Sequence, residues 1–401
     1  MKFMDKTLSD TYFSQASNTA RENDLRNAGF SDYLDSFFLQ RLKGISFLGV
    51  LDYVYDLKCP SDRYNHTICV SHLALGLSRQ LGLPEDDERA FVIANLIHDT
   101  GHAAFSHNSE PFLLQRLKLY HQGLLAALYT RSKRFGKNEI SLASIVNSEP
   151  SHIATLVTDL ILKSREAAQP LQALFESPLN CDKIEGNHRT LSHLGLDSIP
   201  PQILLDLYII KDRNIFVSTS GLSLIVDFWK KERDVYWNNI YTSAVFSAEA
   251  MLTRSLELYF QENKQPDSIA FMTDREAVDV ILEYPKAAKL VQRVMDNRLY
   301  SSMYETRPAI YNEFKPRFIE SRFDIITREV LEREVASVLG VPSDQVISHF
   351  SRRKHFDSRF GDLSQMNLFD DYTDRWELER VVNAFKNSKR SGDYFELFWS
   401  E

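Results

Sequence analysis

Histidines are concentrated in one short part of the chain. Six of its 11 histidines fall between positions 66 and 121. They are His66, His72, His98, His102, His107 and His121. Clustered imidazoles with carboxylates nearby are typical of metal sites and of acid–base sites. The stretch therefore predicts one of these two kinds of site. The alternative interpretation is a pair of satisfied core histidines with the others at the surface.

His98 and Asp99 are adjacent at the end of an apolar segment. Burying a carboxylate beside an imidazole costs on the order of several kcal/mol unless a partner compensates it. A divalent cation would compensate both groups, and a mixed set of His and Asp ligands suits Mn, Fe, Zn or Mg. His66 lies 32 residues before His98, far enough for an antiparallel helical hairpin to bring the two side by side.

Two predicted helices position these residues. Apolar spacing indicates a helix from about Tyr64 to Leu81, which Gly82 and Pro84 end. An acidic run at 85–88 then marks the first turn of the next helix, which is apolar up to position 97 and should be central and buried. Further helical spacing covers about 110–129, 140–164, 168–178, 182–194, 201–209, 220–262, 275–295 and 308–340.

The last 60 residues have a different pattern. Residues 338–350 indicate the end of a helix, a turn and a short strand, and residues 394–398 indicate another strand. We therefore expect a small mixed α/β region behind a helical body. The basic loop at 351–355 is expected to be solvated, with a phosphate contact as the alternative.

Four motifs occur in an order that resembles a known superfamily, the HD-domain metal phosphohydrolases. Their sequences are FLQRLKGISFLG (38–49), RYNHT (63–67), HDTGHAAFSH (98–107) and SPLNCDK (177–183). They resemble the QRLR-x-I-x-x-LG, RFEHS, HD-x-GH-x-PFSH and S-x-LD-x-D[KR] motifs of the dGTPase-like deoxynucleoside triphosphate triphosphohydrolases. The resemblance covers about 35–260. It implies an all-α HD-domain fold, a helical bundle at 33–300. An N-terminal arm (1–32) would precede it and a C-terminal helical and small α/β region (301–401) would follow.

The resemblance also implies the metal ligands and the acid. The ligands of a divalent metal would be His66, His98, Asp99 and Asp182. Family chemistry is hydrolysis at the α-phosphorus, which releases nucleoside and triphosphate. His121 would protonate the leaving O5′ oxygen, and the carboxylate of Glu110 would orient its ring.

Other matching residues would contact the substrate. The resemblance implies phosphate contacts for His102, in the catalytic centre, and for His107. Arg63 and Lys183 would add positive charge beside the α- and γ-phosphates. Phe47 stands at a substrate-binding position where the family often has a glutamine that contacts the base, so the base preference does not carry over.

The chain departs from the family pattern around the sugar. Gly186 replaces a tyrosine that packs on the sugar, and Thr190 replaces an aspartate that binds the 3′-hydroxyl. Phe228 stands where a phosphate-binding arginine is expected. The metal ligands are intact while these positions have changed, which favours a working hydrolase with an altered substrate.

Composition excludes several classes of protein. The 401 residues are 43% hydrophobic and 25% charged, which excludes collagen-like, coiled-coil and disordered chains. A net charge of -8 argues against nucleic-acid binding. Three cysteines without a secretory signal predict reduced thiols in the cytoplasm. No apolar run approaches the roughly 18 residues of a membrane span.

We expect metal-dependent hydrolysis of (deoxy)nucleoside triphosphates to nucleoside and triphosphate. The resemblance further implies a homo-oligomer that can bind a nucleotide effector, and by analogy antiviral defence through nucleotide depletion. One alternative is an HD phosphohydrolase acting on a nucleoside monophosphate, a cyclic dinucleotide or an alarmone. Another alternative is a non-catalytic nucleotide-binding regulator.

Overall fold

A computed structural model gives the fold of most of the chain. It describes residues 12–55, 57, 61–118, 120–130, 133–135, 138–140, 142–162, 169–211, 214–263, 266–321, 324–351, 368–369 and 394–400. Helices dominate, and the strands at 301–302, 346–351 and 394–399 form one small sheet. The predicted helical bundle with a small C-terminal α/β region is confirmed.

The α-helices of the described residues vary from one turn to more than five turns. They are α1 (Gln15–Asn27), α2 (Ser31–Leu34), α3 (Phe37–Arg41), α4 (Leu51–Val54), α5 (Arg63–Gln80), α6 (Glu85–Ile97), α7 (Glu110–Leu117), α8 (His121–Thr130), α9 (Leu142–Val146), α10 (Ser151–Leu162), α11 (Gln169–Phe175), α12 (Cys181–His193), α13 (Pro201–Leu205), α14 (Leu222–Val235), α15 (Ser243–Glu262), α16 (Asp274–Leu282), α17 (Pro285–Met295), α18 (Met303–Thr306), α19 (Pro308–Glu320) and α20 (Ile325–Leu339).

The strands of the described residues form three small sheets. The strands are β1 (Lys133–Phe135), β2 (Asn138–Ile140), β3 (Tyr208–Lys211), β4 (Asn214–Ser218), β5 (Ser301–Ser302), β6 (Val346–Ser351), β7 (Leu368–Phe369) and β8 (Tyr394–Trp399). β1 pairs with β2, and β4 lies between β3 and β7. In the C-terminal sheet β8 lies between β5 and β6, antiparallel to both. The strands predicted near 346–350 and 394–398 are therefore confirmed.

The hairpin of α5 and α6 is the centre of the fold. The Asp62 side chain caps α5 by accepting a hydrogen bond from the Asn65 amide at 2.7 Å. Gly82 has a φ of 62°, the left-handed conformation that lets the chain turn into α6. The eight residues that end α6, 90–97, are all buried. The prediction of a central buried helix that ends at His98 is confirmed.

Some of the predicted helices end earlier than expected or are interrupted. The segment 201–209 leaves the helix at Leu205, because Tyr208 begins a run of aromatic and β-branched residues that pairs as β3. The segment 220–262 is divided by a π-helical turn at Tyr236–Ile240, after which Thr242 caps α15. The segment 110–129 is divided at Lys118, which has a φ of 57°. The basic loop lies outside the described residues from position 352 onward.

Three clusters of buried apolar side chains occur among the described residues. The first surrounds the α5–α6 hairpin and includes Leu25 of α1. The second is centred on α15, and the third lies among α18, α19, α20 and the C-terminal sheet. The proposed domain boundaries at 32 and 300 stay a prediction. No helix in the described part of the chain is both long and apolar enough to span a membrane.

Candidate metal centre and active site

Three of the four predicted metal ligands converge from three helices. His66 comes from α5, His98 follows α6, and Asp182 lies in the first turn of α12. The Nε2 atom of His66 lies 3.1 Å from Asp182 Oδ1, and the Nε2 atom of His98 lies 3.6 Å from the same oxygen. One ligand atom from each residue can be chosen so that all lie within 4.8 Å of one another. The donors are thus close enough to share one cation.

Both imidazoles are held so that Nε2 points into this cluster. His66 Nδ1 donates to the buried carboxylate of Glu185, and His98 Nδ1 donates to the Asn95 carbonyl oxygen at 2.7 Å. A ring whose Nδ1 carries the proton leaves its Nε2 lone pair free for a metal. His98 Nε2 is buried and has no hydrogen-bond partner among the described residues. This donor set fits a divalent metal.

Asp99, the fourth predicted ligand, is buried beside the same cluster. Its carboxylate lies 3.3 Å from His98 Nε2 and 3.7 Å from His66 Nε2. Arg63, at the start of α5, pairs with Asp99 at 2.7 Å. Arg63 is itself 3% exposed. The phosphate contact predicted for Arg63 stays a prediction, because in this structure its charge neutralises a candidate ligand.

Charges in the cluster shift the pKa of every candidate ligand. Burial lowers the pKa of His98, but Asp99 and Asp182 outweigh burial and raise it to about 9. Burial raises the pKa of Asp99, yet His98, Arg63 and His102 hold it well below its usual range. The carboxylates therefore favour positive charge among them, and a divalent cation would supply it.

A second group of side chains adjoins the first. Glu110 Oε1 accepts hydrogen bonds from the Nδ1 atoms of His121 and, at 3.1 Å, His107. The rings of His102 and His121 stack at 4.2 Å, and His102 Nε2 lies 3.3 Å from Asp99. His102 thus connects the predicted acid pair to the metal cluster. One ligand atom each from His102, His107, Glu110 and His121 can also lie within 4.8 Å of one another.

A strained loop carries His102 and His107 of this second group, whereas Glu110 and His121 begin α7 and α8. Phe105 and Ser106 both have left-handed backbones, with φ of 62° and 54°, which costs on the order of 1–3 kcal/mol per residue. Arg41 fixes the start of the loop by donating to the carbonyl oxygens of Thr100 and His102 at 2.9 and 2.6 Å. The strain is held by side chains outside the loop, as expected at a functional site.

Asp274, the first residue of α16, fixes the middle of the loop. Its carboxylate accepts hydrogen bonds from the amides of Phe105 and Ser46, at 2.6 and 2.9 Å. Burial is the largest influence on Asp274 and raises its pKa to about 6, against the two backbone hydrogen bonds. One carboxylate therefore joins the loop that carries His102 and His107 to the loop of Phe47.

We expect Asp274→Asn to change how stability depends on pH. Between the unfolded value of about 3.9 and about 6 in the fold, the folded protein holds a proton that the unfolded chain has lost. This group therefore lowers stability as pH rises through that window. The free energy of unfolding of the variant, relative to wild type, should rise between about pH 4 and pH 6. Denaturant titrations at both ends test this, and a constant difference would contradict it.

The remaining predicted substrate residues surround the metal cluster. The Phe47 ring lies 4.6 Å from the His66 ring. A Cβ added to Gly186 would lie 3.6 Å from the Phe47 ring, so these two positions share one space. The Lys183 ammonium lies 5.2 Å from the centre of the Trp229 ring. Phe228 is buried, as its apolar character requires. Contacts of Phe47 and Lys183 with a substrate stay predictions.

Sequence reasoning missed two residues behind His66. Glu185 is fully buried and binds His66 Nδ1, and Arg189 donates to Glu185 through Nε at 2.9 Å. Helical spacing could have found both. Glu185 lies three residues after Asp182, on the same side of α12, and Arg189 lies four residues further.

We expect Glu185→Gln to weaken metal binding about 10–100-fold, the usual effect of losing a carboxylate that orients a ligand histidine. The amide cannot accept from His66 as strongly as the carboxylate does, so the ring loses its fixed orientation. Titration of Mn²⁺ into metal-free protein measures the effect. Glu332→Gln is the matched control. It alters a 2%-exposed glutamate paired with Arg254, in the C-terminal region, and should leave metal affinity unchanged.

Comparison with protein families identifies the segment that carries this site. Residues 63–173 match the model of the HD domain. The chain contains an HD domain. The matched segment includes His66, His98 and Asp99, and Asp182 follows it. Together with the geometry, the match supports membership of the HD phosphohydrolase superfamily.

Two relatives match this chain in sequence over part of their length. The uncharacterized protein YwfO of Bacillus subtilis is 25% identical over 56% of this chain and 51% of its own length. A deoxynucleoside triphosphate triphosphohydrolase SAMHD1 homolog of Dictyostelium discoideum is 33% identical over 21% of this chain and 18% of its own. The matched part of this chain thus spans about half or less of these relatives.

Two solved structures share the fold of this chain over most of its length. A phosphohydrolase from Bacteroides thetaiotaomicron has a TM-score of 0.64 at 17% identity, covering 92% of this chain and 95% of that one. A hypothetical protein from Aquifex aeolicus has a TM-score of 0.66 at 16% identity, covering 93% and 92%. At these identities the likeness establishes the fold alone.

Proposed function

We propose that this HD phosphohydrolase hydrolyses (deoxy)nucleoside triphosphates to nucleoside and triphosphate. The observation that carries the proposal is the contact between two clusters. His66, His98, Asp99 and Asp182 can hold a cation, and His102 connects them to the hydrogen-bonded pair of Glu110 and His121. The partial similarity to a triphosphohydrolase homolog supports the choice of substrate.

The first cluster would bind the cation, and the second would supply the proton for the leaving group. When bound, the divalent cation supplies Lewis acidity at a phosphate oxygen. His121 lies where it can hold a proton for the leaving oxygen, and Glu110 fixes the ring through Nδ1. Burial keeps the pKa of His102 well below its usual range, and the positive charge of Arg63 acts in the same direction. The neutral ring of His102 therefore adds no charge beside His121.

Product analysis tests the proposal. Purified protein is incubated with each dNTP and NTP, with Mn²⁺ or Mg²⁺, and with or without a second nucleotide as activator. Nucleoside plus triphosphate is the expected product, and a His98→Ala/Asp99→Ala variant should not form it. Mono- or diphosphate products would contradict the proposal. The same assays test the predicted nucleotide effector, and sedimentation tests the predicted homo-oligomer.

A second candidate is hydrolysis of another phosphate ester, and one observation favours it. Thr190, at the position where the family binds the 3′-hydroxyl, donates its own hydroxyl to the Gly186 carbonyl oxygen at 2.7 Å. The hydroxyl proton of Thr190 is therefore already used in a hydrogen bond within α12. Gly186 has no side-chain ring on which a sugar could pack. Nucleoside monophosphates, cyclic dinucleotides and alarmones therefore belong in the same substrate panel. A cytoplasmic location and a role in antiviral defence stay predictions.

A further inference from the structure

Two aromatic residues before α1 lie across α12. The Tyr12 ring meets the His188 ring edge-on at 4.8 Å, and the Phe13 ring stacks on His188 at 5.2 Å. Phe13 also contacts the His193 ring at 5.6 Å. We call Tyr12 and Phe13 the N-terminal clamp. It packs on the helix that carries Asp182 and Glu185.

The clamp is fixed by α1. Arg21 Nη1 donates to the Tyr12 carbonyl oxygen at 2.7 Å, and the guanidinium lies 4.0 Å from the centre of the Tyr12 ring. Ser14 caps α1 by accepting from the Ser17 amide at 3.2 Å. Since α1 packs on α5, which carries His66, the clamp is fixed relative to α5 and α12, two of the three helices that position the candidate ligands.

Arg189 lies between the clamp and the metal centre. Its Cζ atom is 4.8 Å from the centre of the Phe13 ring and 5.7 Å from that of the Phe47 ring. The residue is 1% exposed, and its guanidinium binds Glu185, which in turn binds His66 Nδ1. A continuous series of contacts therefore runs from Phe13 through Arg189 and Glu185 to His66.

Phe13 keeps water away from one side of this series. A guanidinium held against aromatic faces and away from water interacts strongly with both the rings and a buried carboxylate. Burial also keeps the pKa of His188 at about 4, so the ring that stacks on Phe13 stays neutral. Loss of the Phe13 ring would admit water to Arg189 and weaken its hold on Glu185. His66 would then lose the fixed orientation of its ring.

We propose that Phe13 is a positioning residue for the metal centre, acting through Arg189 and Glu185 on His66. The inference rests on the metal site of the proposed function. It gives the segment before α1, outside the matched HD domain, control over cation affinity. Any partner or cleavage that displaces the clamp would lower metal occupancy without touching a ligand.

Metal titration of full-length variants tests the proposal. Mn²⁺ is titrated into metal-free wild type, Phe13→Ala, Phe13→Leu and Phe13→Tyr, and circular dichroism checks that each is folded. We expect Phe13→Ala to weaken Mn²⁺ binding about tenfold or more, within the range for residues that orient a ligand. Phe13→Leu should weaken Mn²⁺ binding less, and Phe13→Tyr should bind almost as wild type does. Should Phe13→Ala not fold, the comparison of Phe13→Leu with Phe13→Tyr still tests the proposal. Phe37→Ala, at a 42%-exposed aromatic, should bind as wild type.

A double-mutant cycle separates positioning from general loosening. If Phe13 acts through Glu185, Phe13→Ala should change Mn²⁺ affinity less than about threefold in a Glu185→Gln background. Wild-type affinity in folded Phe13→Ala and Phe13→Leu would overturn the proposal, as would full additivity of Phe13→Ala with Glu185→Gln. A wild type that binds no cation would overturn it together with the metal centre. Cation binding without nucleotide hydrolysis would refute the proposed substrate alone.

Discussion

His98→Ala should abolish tight cation binding and lower phosphohydrolase turnover on the order of a thousandfold. The substitution removes the donor atom Nε2, which is buried and without a hydrogen-bond partner among the described residues. A metal that polarises a phosphoryl oxygen contributes several kcal/mol to stabilising the transition state, and each 1.36 kcal/mol is about tenfold in rate. Metal content by mass spectrometry and turnover of the preferred substrate measure the two effects.

The single substitution is a cleaner test than removal of Asp99. Arg63 is 3% exposed and pairs with Asp99 at 2.7 Å. Asp99→Ala would leave that guanidinium buried without its partner, at a cost of about 3–5 kcal/mol. His98→Ala keeps the pair intact and should stay folded. His152→Ala is the control, because His152 is exposed and bonded to Asp86 at 2.9 Å. Undiminished cation binding by His98→Ala would contradict the assignment of the centre.

That the candidate metal ligands lie close together was predictable, because helical geometry and motif order both restrict their positions. The acidic first turn and the apolar run of α6 place His98 and Asp99 at the end of that helix. The preceding helix, α5, packs antiparallel to α6 and supplies His66. Asp182 required the family resemblance, since 83 residues separate it from Asp99. The helical body followed from apolar spacing alone.

Other features could not be predicted because they depend on contacts between distant segments. Asp274 joins two loops through backbone amides, which no sequence pattern marks. The short strands β3 and β4 stabilise each other by pairing, which the apolar spacing at 201–209 does not show, so that spacing alone predicted a helix through to position 209. Arg63 resembles a substrate-binding residue in sequence, and only the fold shows that its charge faces Asp99.

His121→Ala should lower turnover about 10²–10⁴-fold on a substrate with a poor leaving group, the usual contribution of a general acid. The variant loses the imidazole that Glu110 orients through Nδ1. A p-nitrophenyl phosphodiester has a leaving group that departs without a proton, so the loss on that ester should be much smaller. Comparison of kcat on the two substrates measures the difference, and an equal loss on both would contradict the role of an acid.

The same variant distinguishes an acid pair from a second metal site. His102, His107, Glu110 and His121 can bring their ligand atoms within 4.8 Å of one another, a spacing that could also hold a cation. However, the rings of His102 and His121 stack face to face at 4.2 Å with 10° between their planes. Lone pairs lie in the ring planes, so two parallel stacked rings do not direct them at one ion between them. We therefore expect His121→Ala to bind as many Mn²⁺ ions per chain as wild type, and a stoichiometry lower by one would instead assign this cluster to a second metal.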